Sequence, residues 1–128
     1  MELKNKILLI EQDSKLLLEI CKTLNESGYE ITDTLPSVFN APKSIDLRKP
    51  DIIIIDAVIT EPLVNFISKY INLPLIIISE QYEKQIYRYS GKIQILGIIK
   101  KPFFLYNIKI PIVIAFNKLR CTNIYNQI

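Results

Sequence analysis

The sequence predicts an α/β fold with a parallel sheet layered between helices, and two observations carry that expectation. Short runs rich in isoleucine alternate with segments whose apolar residues recur every three to four positions, the marks of strand and helix in turn. Four of the apolar runs also end in polar residues. Ile7 to Ile10 runs into Glu11, Gln12 and Asp13; Asp51 to Ile55 into Asp56; Leu75 to Ile78 into Ser79 and Glu80; Ile95 to Ile99 into Lys100, Lys101 and Pro102. In a parallel sheet the carboxyl ends of the strands converge on the crevice where ligands bind, so these polar exits gather at one edge.

The elements follow in order. After the strand from Ile7 to Ile10, Asp13 or Ser14 caps a helix whose Leu17, Leu18, Cys21 and Leu24 share a face and which closes at Gly28. Tyr29 to Leu35 reads as the second strand, and Ser37 to Arg48 as a short helix interrupted by Pro42. Asp51 to Ile55 is apolar throughout after its first residue, as a strand buried on both faces is, and a helix from Glu61 to Tyr70 places Leu63, Phe66, Ile67 and Tyr70 on one side. Pro74 restarts the chain into the strand from Leu75. A helix over Gln81 to Ser90 carries Tyr82, Ile86 and Tyr89, and Gly91 ends it. After the strand from Ile95 to Ile99, the last helix begins near Asn107 with Pro111 in its first turn, where the missing N–H costs little.

A chain of 128 residues fits one domain, here residues 1–121, with 122–128 as a short polar tail or the start of a longer segment. Apolar residues make up 49% and charged residues 23%, a globular composition. The net charge of +3 comes from dispersed lysines rather than a basic stripe, which argues against nucleic-acid binding. Cys21 and Cys121 have no histidine in the chain to complete a zinc set, and a reduced, cytoplasmic compartment is the simplest reading. The apolar runs are too short for a secretory signal or a membrane span. The last helix is unusually apolar. Ile108, Ile112, Ala115, Phe116 and Leu119 form one face, and Ile110, Val113 and Ile114 exceed what one buried stripe needs. Either an interaction surface or a deeply tucked helix accounts for that excess.

Taken as an ordered set, the acids after the first strand, Pro50 and Asp51 leading to Asp56, Ser79, and Lys101-Pro102-Phe103 resemble the receiver domain of two-component response regulators, over nearly the whole chain. The resemblance implies a flavodoxin-like, doubly wound (βα)5 sandwich with strand order 2-1-3-4-5. It implies Asp56 as phosphoacceptor, a carboxylate nucleophile toward a phosphoryl group from a sensor histidine kinase. Lys101 and Ser79 would contact the phosphoryl oxygens, and Mg²⁺ would be held by Glu11, Asp56 and the Val58 backbone carbonyl. The same resemblance implies a cis Lys101-Pro102 bond. Output in the family lies on the face of helix 4, strand 5 and helix 5, through protein partners or a homodimer.

The departures are as informative. Gln12 stands where the family has a second acid, which weakens the Mg²⁺ site by one formal charge; Asp13 lies one residue too far along and caps the helix instead. Glu80 follows Ser79 where a small residue is usual, and Ile98 takes the place of the aromatic switch. These changes favour a pseudo-receiver that binds its partner without phosphoryl chemistry; the alternative is a fully phosphorylatable regulator. An enzyme is disfavoured, since no histidine is present and no nucleophile–base pair beyond Asp56 and Lys101 suggests itself. A flavin- or nucleotide-binding protein is the rival on the same fold, but Gly28, Gly91 and Gly97 form no phosphate-cradling loop.

Overall fold

The computed structural model describes residues 5–126, with side chains through residue 121. Five strands form one parallel sheet in the order β2-β1-β3-β4-β5, as expected. The strands are β1 (Lys6–Ile10), β2 (Glu30–Leu35), β3 (Ile52–Asp56), β4 (Leu75–Ser79) and β5 (Ile95–Lys100). The helices between and after them are α1 (Ser14–Glu26), α2 (Ala41–Arg48), α3 (Glu61–Tyr70), α4 (Glu83–Tyr87) and α5 (Lys109–Asn126).

The period-two alternation of the isoleucine runs divides the core between the two faces. Ile7, Leu9, Ile52, Ile54, Ile76 and Ile78 pack on one face with Ile20 and Leu24 of α1 and with Ile112, Ala115 and Phe116 of α5. Leu8, Ile10, Ile53, Ile55, Leu75 and Ile77 point the other way, onto Ala41 of α2, Val64 and Ile67 of α3, and Ile86 of α4. The three central strands are thus covered on both sides, which is why they read as unbroken apolar runs. At the opposite edge from the polar exits, the Asp51 carboxylate accepts from Lys6 N–H at 2.8 Å and pins the starts of β1 and β3 together.

Local chemistry explains where elements begin and end. The Asp13 carboxylate accepts from the N–H groups of Lys15 and Leu16, capping α1, and Gly28 at φ +91° closes the helix in the left-handed region while Tyr29 N–H bonds Leu24 O. Pro42 does not interrupt its helix as expected. It sits in the first turn of α2, where no intrahelical N–H is required, after a 3₁₀ turn over Val38–Asn40. α4 is shorter than the expected 81–90, because the N–H groups of Tyr89 and Ser90 bond three residues back rather than four and tighten the chain out of the helix. A 3₁₀ turn over Leu105–Ile108 precedes α5, and Pro111 does lie in its first turn. The segment expected as a tail is helical as far as Asn126; residues 127–128 lie outside those described. Among the described residues no helix is long and apolar enough to cross a membrane.

Candidate functional site

Register carries the polar exits to a single edge. Ile10 pairs with Ile55, Asp56 with Ile78, and Ser79 with Lys100, and Lys101 N–H donates to Ser79 O at 2.9 Å. Glu11, Asp56, Ser79 and Lys101 therefore meet where β1, β3, β4 and β5 end. Asp56, Ala57, Val58, Ser79, Glu80, Gln81 and Lys101 line a cleft of about 180 Å³ there. The Lys101-Pro102 peptide bond is cis, as the resemblance implied.

Lys101 Nζ lies 2.6 Å from Asp56 Oδ2, an ion pair on a carboxylate that is almost fully buried. Glu11 is 4% exposed, and its Oε1 has no hydrogen-bond partner among the described residues. Its carboxyl is raised from 4.5 to about 7, first by burial, then by its hydrogen bond to Asp56 and by that residue's charge; the backbone near Asp13 and the Lys101 ammonium pull the other way. With Glu11 ionised, two carboxylates face one ammonium and the site carries a net negative charge. Such a pair suits a hard divalent cation, since Mg²⁺ keeps several waters and uses one or two carboxylates beside phosphate oxygens. Among the described residues no group of three or more His, Cys, Asp or Glu is arranged to hold a metal, so the acidic set stops at two.

The other expected site residues are more dispersed. Gln12 is exposed and lines a neighbouring cleft with Pro36, Asp56, Val58 and Leu63, apart from Lys101 and Ser79. The Val58 side chain is exposed on the loop between the two clefts. Glu80 points to solvent at the cleft wall, while Ile98 is half-buried and packs on the core through the α3–α4 face. Tyr82 is exposed with Lys100 Nζ 4.5 Å from its ring centroid, and Tyr87 is exposed as well.

Sequence reasoning missed Gln81. Its carboxamide bonds both backbone groups of Ile59 and the hydroxyl of Ser79, joining the loop after β3 to the loop after β4. No periodicity encodes a contact across 22 positions; the one available signal is a Gln two residues beyond a strand-terminal Ser.

No family model matches the chain, and no curated protein does. Solved structures do. A signal receiver domain from Vibrio parahaemolyticus superposes with a TM-score of 0.77 at 17% identity, over 96% of this chain and 98% of that one. The non-phosphorylated HemR receiver domain of Leptospira biflexa gives 0.71 at 21% identity, over 88% and 94% of the two chains. A response regulator from Thermotoga maritima gives 0.69 at 18% identity, over 87% and 99%. The chain is similar to these receiver domains in fold: the same five-stranded order and the same alternation of helices about it.

Proposed function

We propose that this chain is a receiver-type signalling domain, not an enzyme, whose Asp56 accepts a phosphoryl group. The observation that carries the reading is the Asp56–Lys101 ion pair of 2.6 Å beside Ser79 and Glu11. A lone polar strand terminus needs none of these neighbours, whereas phosphoryl transfer needs a nucleophile with charge neutralisation around it. An Asp56 carboxylate oxygen attacks phosphorus and forms the O–P bond. The bond to the donor's leaving group, a phosphohistidine nitrogen or an acetate oxygen, breaks and its electron pair leaves with that group. Lys101 holds the carboxylate in place and then faces a phosphoryl oxygen. Glu11 and Asp56 are the residues that would hold Mg²⁺, with the Val58 carbonyl and a weak contribution from Gln12; the ion supplies positive charge against the incoming phosphoryl group.

The partners are a sensor histidine kinase or another signalling protein on the input side, and a protein or a second copy of this chain on the output side. Exposed Tyr82 at the cap of α4, Tyr106 in the 3₁₀ turn before α5, and Ile110, Val113 and Ile114 on α5 support that output surface. A second reading, a pseudo-receiver that binds its partner without phosphorylation, is favoured by Gln12, which leaves two acids at the metal position. Acetyl phosphate with Mg²⁺ separates the two. The first reading predicts a hydroxylamine-labile acyl phosphate that maps to Asp56 and is abolished by chelation; an unlabelled chain would contradict it and favour the second.

A further inference from the structure

Both polar atoms of the Gln81 carboxamide are engaged at the edge of the Asp56 cleft. Oε1 accepts from Ile59 N–H at 2.7 Å and from the Ser79 hydroxyl at 3.0 Å, and Nε2 donates to Ile59 O at 3.0 Å. The backbone N–H of Gln81 donates to Ser79 Oγ at 3.1 Å. Ile59 fixes which way the amide faces. Its N–H can only donate and its carbonyl only accept, so a flipped carboxamide would set donor against donor and acceptor against acceptor. Ile59 is buried, and a backbone pair buried there needs those partners.

The consequence falls on Ser79. A hydroxyl has one proton to give, and here it is given to Gln81, on a residue that is 3% exposed. Ser79 can therefore donate to a phosphoryl oxygen on Asp56 only by leaving Gln81. Gln81 Oε1 keeps Ile59 N–H when it does so, and the two loops stay tied through Ile59 while the hydroxyl changes partner.

We propose that Gln81 is a positioning residue that withholds the Ser79 hydroxyl from the Asp56 cleft in the free protein and fixes the loop after β3 while it does so. The proposal rests on the phosphoacceptor reading above. Gln81 acts on the rate at which Asp56 gains a phosphoryl group without touching that group, by competing for the Ser79 proton.

The test is the half-time of phosphorylation by acetyl phosphate and Mg²⁺, read by intact mass on the full chain, for the native protein, Gln81→Met, Ser79→Ala and the double variant. Gln81→Asn, too short to reach Ile59, serves as a second variant, and thermal melting establishes that each protein is folded. Gln81→Met and Gln81→Asn are expected to shorten the half-time by about fivefold, what one competing hydrogen bond is worth. In the Ser79→Ala background the same change is expected to fall below about twofold, because the hydroxyl it acts through is gone. An unchanged or longer half-time, or an acceleration that persists undiminished without the Ser79 hydroxyl, would overturn the inference alone. A native chain that takes up no phosphate would overturn the reading it rests on, and the inference with it.

Discussion

Glu11 is buried against Asp56 with Lys101 as the nearby cation, and its raised pKa has a definite effect on stability. Between about 4.5 and about 7 the folded state holds a proton that the unfolded chain has released, so stability from this group is full below that window and falls as pH rises through it. Melting in EDTA is expected to show a lower midpoint at slightly alkaline pH than at mildly acidic pH. Glu11→Gln is expected to flatten that slope and to stabilise the protein at alkaline pH by on the order of 1–2 kcal/mol, since a neutral amide can donate to Asp56 where a second carboxylate repels it. An unchanged slope in the variant would show that another group sets it. Glu11, Asp56, Ser79 and Lys101 were legible in the sequence because each stands at a strand exit, and a strand exit has a place in the fold. Gln81 was not, because its partners on Ile59 are backbone atoms that become neighbours only once β3 and β4 pair.

Among the elements, α5 separates into two faces of different consequence. Ile112, Ala115 and Phe116 are buried under the sheet, with Ile108 of the preceding turn beside them, whereas Ile110, Val113 and Ile114 are 69%, 47% and 46% exposed. The apolar excess noted in the sequence is thus on the surface rather than tucked deeper. Ile112→Ala is expected to cost about 2–5 kcal/mol in denaturant unfolding, and Ile110→Ser to stay within about 0.5 kcal/mol, because one empties a packed site and the other trades exposed surface. At the end of α2, Lys49 adopts φ 50°, a left-handed C-cap that glycine enters without a Cβ clash. Relief of about 1–2 kcal/mol of strain against about 0.5–1 kcal/mol of lost chain entropy makes Lys49→Gly stabilising by about 0.5 kcal/mol, measurable as a higher unfolding midpoint. Helix termini were the least legible feature: α3 has the expected bounds because Thr60 caps it and Glu61 starts it, whereas the ends of α4 depend on turns that periodicity does not describe.

For the whole molecule, the fold was legible because the isoleucine runs encode it twice, as unbroken strands and as the two-faced core that requires helices on both sides. Strand order is a different matter: it came from the resemblance carried by the polar exits, and the sheet agrees with it. The same order places those exits at one edge, so fold and site stand on the same residues. The claim at the centre is chemical, that Asp56 in this setting accepts a phosphoryl group despite Gln12. Intact-protein mass spectrometry after incubation with Mg²⁺ and acetyl phosphate, beside an Asp56→Asn control, tests it most directly. The account predicts that the native chain gains the mass of one phosphoryl group and the control gains none; no gain in the folded native protein, or an equal gain in the control, would contradict it.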